Sequence, residues 1–373
     1  MPYRIHDNAE LLTPALVIYP AHVDANVANT IRLLDGDPQR WRPHVKTAKL
    51  EFVMKRLVNA GVMACKASTT LELSTACAAG FQDVLLAYPV VGANARRVVE
   101  IAVANPGVAV STLIENEAQA AQWKDTPLGL FIDVNTGMNR TGIEQEHIEE
   151  VVNLARRAGS KFRGLHYYDG HLHQSDLGER RKRAHDGYDR LMRLVKALGS
   201  VPELITSGTP AFPYAIDYPG FAGLNHRVSP GTVVYNDMTS LADLPGFGYA
   251  PAALVIATVV SHPKPNRITC DAGHKSVSAD AGVPTCAVLG RTDLTPDNPS
   301  EEHLPMNCAG VVPAIGERLY LLPRHVCPTV NNFDEALIVE DGRVSRIESV
   351  SARGHESPLP FVLETGHSAH RRR

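Results

Sequence analysis

The chain has 373 residues, 44% hydrophobic and 21% charged, with a formal net charge of -3. That is enough for one large barrel plus a smaller domain, and it describes an ordinary globular protein able to bury a sizeable core. The balanced charge carries no electrostatic footprint for nucleic acid, so none is expected as a partner.

Short β-branched runs alternate with amphipathic stretches from Ala15 to about Gly231. The predicted strands are 15–19, 43–46, 62–67, 84–88, 108–114, 128–134, 162–168, 204–206 and 227–229. The predicted helices between them include 23–34, 71–79, 93–104, 148–158 and 177–198. Alternation at this spacing implies βαβ units and a parallel sheet, and about eight such units fit a (β/α)8 barrel over residues 14–245. A doubly wound sheet is the alternative, but no G-x-G-x-x-G follows any strand. After Pro245-Gly246-Phe247-Gly248 the rhythm changes to strands at 253–261, 267–271, 285–289, 318–322 and 335–340, joined by Gly- and Pro-rich turns. A smaller mostly-β domain is expected over 246–373, joined by residues 1–13. The N-terminus is too polar for a signal peptide, and no apolar run approaches the roughly 18 residues of a membrane span. Cysteines 65, 77, 270, 286, 308 and 327 are scattered without a pairing pattern. A cytoplasmic protein with reduced thiols is therefore expected, without a membrane partner.

Arg42-Pro43-His44-Val45-Lys46-Thr47 places a lysine at the carboxyl end of a predicted strand, the end on which barrels assemble their sites. Pro43 keeps the preceding residue out of helix, and Thr47 is positioned to cap the helical run Leu50, Val53, Met54, Leu57, Val58. A lysine there, among apolar neighbours, loses its proton more easily and can form a Schiff base; otherwise it is a surface lysine at a strand end. Ser207-Gly208-Thr209-Pro210 and Ser229-Pro230-Gly231-Thr232 follow two late strands, where backbone N–H groups and hydroxyls can cradle an anion; each alone is also a common turn. Arg140, in a Gly-rich loop after an apolar strand, suits a phenolate or carboxylate, or else orders its loop. His166, Tyr167, Tyr168, His171 and His173 crowd one strand end and offer proton-transfer groups near neutral pH. His171-x-His173 is also the spacing of a metal pair. In Pro323-Arg324-His325-Val326-Cys327, an extended backbone would point the imidazole and the thiolate the same way and make a two-ligand metal site. Ser300-Glu301-Glu302-His303 lies upstream, where it could orient a metal or a substrate hydroxyl.

From Thr13-Pro14-Ala15-Leu16 to the H-x-C, and most specifically in R-P-H-x-K-T, the chain resembles the D-threonine aldolase and D-serine dehydratase family. This is the metal-activated branch of the pyridoxal phosphate (PLP) enzymes with an alanine-racemase-like barrel. The resemblance implies that Lys46 holds PLP as an aldimine, with His44 among the cofactor-binding residues. It implies that Ser207, Gly208, Thr209, Gly231 and Thr232 surround the phosphate, that Arg140 meets the phenolic oxygen, and that Tyr168 meets the pyridine nitrogen. His325 and Cys327 would hold a divalent cation (zinc, manganese or magnesium) against the substrate's β-hydroxyl. Two departures stand out: the family's frequent R-P-H-x-K-T-H-K has Ala48 in place of its second histidine, and Asp-Gly-His-Leu-His after Tyr168 differs from the aldolases. Either His171 or His173 could be the base, with His173 preferred. The expected activity is retro-aldol cleavage of a D-β-hydroxy-α-amino acid to glycine and an aldehyde, by a homodimer. Dehydration to a 2-oxo acid and ammonia is the close alternative. A racemase, a barrel metallohydrolase built on His171, His173 and Asp176, and a non-catalytic cofactor carrier stand further off.

Overall fold

The computed structural model describes residues 3–6 and 10–358; Arg371-Arg372-Arg373 lies outside them. The chain opens with β1 (Ala15–Ile18), α1 (Pro20–Leu33), α2 (Glu51–Asn59), β2 (Ala64–Ala67), α3 (Thr70–Ala79) and β3 (Asp83–Leu86). It continues through α4 (Gly92–Ala104), β4 (Ala109–Ile114), α5 (Glu117–Gln122), β5 (Gly129–Asn135), the two-residue β6 (Ile143–Glu144) and α6 (Ile148–Ala158). Then follow β7 (Phe162–Tyr167), α7 (Leu177–Leu198), β8 (Leu204–Thr206), α8 (Phe212–Ile216), β9 (His226–Val228) and α9 (Met238–Asp243).

Strands β2, β3, β4, β5, β7, β8 and β9 form one parallel sheet in that order. Residues 41–46 close it into a barrel. Trp41 bridges Val228 of β9, and His44 bridges Lys66 of β2. The Arg42 N–H donates to Val228 O at 2.9 Å, and the Val45 N–H to Lys66 O at 2.8 Å. The predicted strand at 43–46 is thus a single isolated bridge at His44, with a second at Trp41 just before it, because Pro43 has no N–H to continue a ladder. Thr47 does not cap a helix: α2 begins at Glu51 after Leu50, and Lys49 adopts a left-handed backbone between them.

The arginine of the motif fastens this closing segment from below. Arg42 is wholly buried and reaches Glu203 through Nε and Nη2 (2.8 and 2.9 Å) and Asp83 through Nη1 and Nη2 (3.1 and 2.9 Å). Asp83 begins β3 and Glu203 precedes β8, so the cluster sits at the amino ends of the strands, opposite the site.

The second sheet contains β10 (Ala253–Lys264), β11 (Arg267–Cys270), β12 (Cys286–Val288), β13 (Leu294–Pro296), β14 (Leu304–Cys308), β15 (Arg318–Pro323), β16 (Glu335–Glu340) and β17 (Arg343–Ser349), with the short helix α10 (Val326–Asn331). The run at 15–19 corrects the sequence reading. It is not a barrel strand: β1 pairs antiparallel with β10 and parallel with β16. Val17 packs with Leu254 and Ile256, while Leu16 and Ile18 face the barrel core. A strand buried on both faces looks the same in sequence whichever sheet it joins.

Candidate active site

A cavity of about 270 Å³ opens at the carboxyl ends of the barrel strands. His44, Lys46, Tyr168 and His173 line it from the barrel, Gly208, Thr209, Gly231 and Thr232 from the late loops, and His325 and Cys327 from the second domain. Arg140 lines an adjoining cavity of about 180 Å³ that shares His44, Lys46 and Tyr168. Ser207 is fully buried behind its loop, and His171 is exposed and does not line either cavity.

The two loops fit an anion. Ser207 holds a left-handed backbone (φ 65°), and its Oγ is buried without a hydrogen-bond partner. Leaving such a hydroxyl bare costs about 1–3 kcal/mol, which a bound acceptor would recover. At Gly231 an added Cβ would stand 2.5 Å from the His44 carbonyl oxygen, so only glycine lets the loop approach the lysine segment this closely. The Gly208 N–H is already spent on Asp169 Oδ1 at 3.1 Å; Asp169, in turn held by the Tyr188 hydroxyl at 2.8 Å, orders this loop.

Lys46 Nζ lies 5.9 Å from the Tyr168 ring centre, the Arg140 guanidinium 5.0 Å, and Lys66 Nζ 5.3 Å. Basic groups gathered around one ring suit the oxygens of an anionic aromatic cofactor. Burial alone would lower the Lys46 pKa, but electrostatic coupling to Tyr168 and Cys327 outweighs it and raises it. This corrects the expectation of an easily deprotonated lysine: the bare amine starts protonated. His44 is kept neutral by burial and by Lys46 and Lys66. Lys66 was not singled out in the sequence. It is buried on β2, donates to His166 Nε2 at 3.2 Å, and is pushed down to about 7 by burial and by Lys46. His166 Nδ1 in turn faces Asp133 Oδ1 at 2.7 Å.

His173 stands apart from His171 through a partner that no motif announced. Its Nδ1 lies 3.0 Å from Asp243 Oδ2 at the end of α9, and Arg180 of α7 holds Asp243 Oδ1 at 3.0 Å. The carboxylate fixes Nδ1–H and leaves the Nε2 lone pair free to take a proton. The hydrogen bond to Asp243 raises the His173 pKa, whereas burial and His173 lower that of His171.

His325 and Cys327 do converge, though not on an extended strand. β15 ends at Pro323, and His325 is the N-cap of α10. The H-x-C spacing works because the chain turns into helix between the two side chains. The pair hydrogen-bonds side chain to side chain. Burial opposes both shifts, yet their contact and nearby charges raise His325 to about 9 and lower Cys327. An imidazole and a thiolate-forming cysteine at one point fit a divalent cation of borderline softness, which would displace the shared proton. Thr47 Oγ1 sits 3.0 Å from Cys327 Sγ, tying this corner to the residue beside Lys46.

Other candidates fall away. Asp176 accepts from the Glu179 N–H as the N-cap of α7, and among the described residues no group of three His, Cys, Asp or Glu side chains is placed to hold a metal. Glu301 and Glu302 pair with Lys275 outside the cavity.

Residues 18–238 match the family model "Alanine racemase, N-terminal domain". The chain belongs to the alanine racemase family. Within this PLP-dependent family its second domain adds a distinguishing match, because residues 252–339, which include His325 and Cys327, fit a serine dehydratase domain model. A D-threonine aldolase from Arthrobacter sp is 28% identical over 363 residues, covering 93% of this chain and 94% of that protein. A 3-hydroxy-D-aspartate aldolase from Paracoccus denitrificans (strain Pd 1222) is 27% identical over 372 residues, covering 93% and 94%. The crystal structure of D-threonine aldolase from Filomicrobium marinum superposes with a TM-score of 0.84 at 25% identity, covering 95% of this chain and 99% of that one. No helix among the described residues is long and apolar enough to cross a membrane.

Proposed function

We propose that this alanine racemase family member is a lyase dependent on PLP and a divalent metal, cleaving the Cα–Cβ bond of a D-β-hydroxy-α-amino acid to glycine and an aldehyde. The observation that carries the reading is the 3.0 Å contact between Thr47 and Cys327, which joins the H-x-C corner to the Lys46 segment in one cavity. An amino-acid racemase has no use for a cation at a β-hydroxyl; the metal-ligand chemistry of His325 and Cys327 favours a lyase.

Lys46 is the residue that would bind PLP, with Arg140 toward its phenolic oxygen and Tyr168 toward its pyridine nitrogen. The loops at Ser207–Thr209 and Gly231-Thr232 would take the phosphate. His44, kept neutral, leaves the cationic field at the lysine chiefly to Arg140. PLP supplies an electron sink and the cation a Lewis acid when bound. His173 Nε2, freed by the Asp243 contact at Nδ1, is the group to accept the β-hydroxyl proton; His171 is left with no part. A homodimer in the cytoplasm is the expected form, by analogy with the fold.

A dehydratase is the second reading, favoured by the serine dehydratase domain match over residues 252–339. Product analysis with D-threonine separates the two. Glycine and acetaldehyde, formed with added Mn²⁺ or Zn²⁺ and lost after chelation, would support the aldolase. 2-Oxobutyrate and ammonia would support the dehydratase, and full turnover in thoroughly chelated enzyme would refute the metal requirement of both.

A further inference from the structure

We infer that Asp280 is a positioning residue for the metal-binding histidine, fixing the ring of His325 so that its Nε2 is presented to the cation. This inference rests on the proposed metal centre and adds to it a residue outside the ligand pair.

Asp280 Oδ2 lies 2.6 Å from His325 Nδ1. An imidazole has two nitrogens; with Nδ1 donating to a carboxylate, Nε2 carries the lone pair and is the nitrogen left for a metal. A carboxylate on the far ring nitrogen also makes the ligating one more basic.

The contact lies at the surface, the two side chains being 37% and 47% exposed, and it is part of a closed ring of hydrogen bonds. Ser278 Oγ donates to the other carboxylate oxygen, Asp280 Oδ1, at 2.9 Å. The Ser278 N–H donates to Thr329 Oγ1 at 3.2 Å, and Thr329 Oγ1 donates to the His325 carbonyl oxygen at 2.8 Å. His325 is therefore held at its ring by Asp280 and at its backbone by Thr329, with Ser278 joining the two clamps. The loop that carries Asp280 is itself anchored to the segment before His325. The Arg324 N–H donates to Thr285 O at 2.7 Å and Arg324 Nη1 to Val283 O at 3.1 Å. From the other side, the Val326 N–H donates to Asp237 Oδ2 at 2.9 Å. Both the backbone and the ring of this residue are constrained, which is what a two-ligand site needs when the protein supplies so few donors.

The test measures Mn²⁺ and Zn²⁺ affinity on PLP-loaded enzyme, by calorimetric titration and chelator competition, for wild type, Asp280→Ala, Asp280→Asn and Ser278→Ala. Removing such a carboxylate weakens metal binding about 10–100-fold, so Asp280→Ala should lose that much. Asp280→Asn, which keeps an acceptor but not the charge, should lose less, and Ser278→Ala less again. The melting temperature and the near-visible absorption of the bound cofactor should stay as in wild type, separating positioning from a general structural role. Metal affinity in Asp280→Ala within about twofold of wild type would overturn the inference. A wild type that binds neither metal would instead overturn the metal centre on which it rests.

Discussion

Replacing Asp243 by Asn tests the assignment of His173 as the base. The carboxylate accepts from Nδ1, so Nε2 is the unprotonated nitrogen. An asparagine keeps one acceptor oxygen, and Arg180, buried and 3.0 Å from Asp243 Oδ1, will claim it. The amide NH2 then faces His173 and donates to Nδ1, which moves the ring proton to Nε2 and removes the base. General-base catalysis contributes about 10²–10⁴ in rate. The His173 side chain is 48% exposed and free to turn, so the loss should lie at the lower end, about 10²-fold in kcat. The pH profile gives a second readout. Asp243 raises the His173 pKa, so the free base appears only as pH rises through that raised value, and activity in wild type should climb along this limb. Without the carboxylate the residual limb should move to lower pH. Stability should fall by about 1–3 kcal/mol because buried Arg180 loses the charge of its partner, so rates are read well below the melt. Steady-state assays on D-threonine from pH 5 to 9 supply both numbers. A kcat within threefold of wild type with an unmoved acid limb would refute the role of His173.

Other outcomes follow from the same geometry. Lys46→Ala should abolish the near-visible absorption of enzyme-bound PLP and leave nothing for borohydride to trap; a trapped adduct in the variant would point to another lysine, with buried Lys66 the first suspect. Gly231→Ala forces a Cβ against the His44 carbonyl, an overpacking of about 1–3 kcal/mol, so PLP affinity read by absorbance titration should drop roughly tenfold. Arg42→Met leaves Asp83 to Arg163 and Glu203 to Arg227, so urea unfolding at pH 7 should show a loss toward the lower end of about 3–5 kcal/mol. Burial would raise the Asp83 pKa, but Arg42 outweighs it and holds it below the ordinary value. The stability from this pair is therefore present above about pH 4 and lost as pH falls through the depressed value, so the wild-type advantage over Arg42→Met should shrink by pH 3.

The sequence by itself carried the alternation of strands and helices, because an amphipathic helix such as Ile148–Ala158 or Leu177–Leu198 writes its period locally. It also carried the lysine motif and the H-x-C, whose chemistry is a matter of residue type and spacing. Short strands such as Leu294–Pro296 and Leu304–Cys308 left little local signal, since each is brief and interrupted by proline. Only the tertiary structure decided that β1 joins the second sheet, since partner choice for a doubly buried strand is a long-range event. The same holds for the roles of Asp243, Thr47, Lys66 and Asp280. Each acts through a neighbour more than 40 residues away, and an aspartate that orients a histidine across such a gap has the same local sequence as one that caps a turn. The choice between His171 and His173 lay there too: two residues apart on one loop, they differ in that the fold turns His173 into the cavity and brings Asp243 to it.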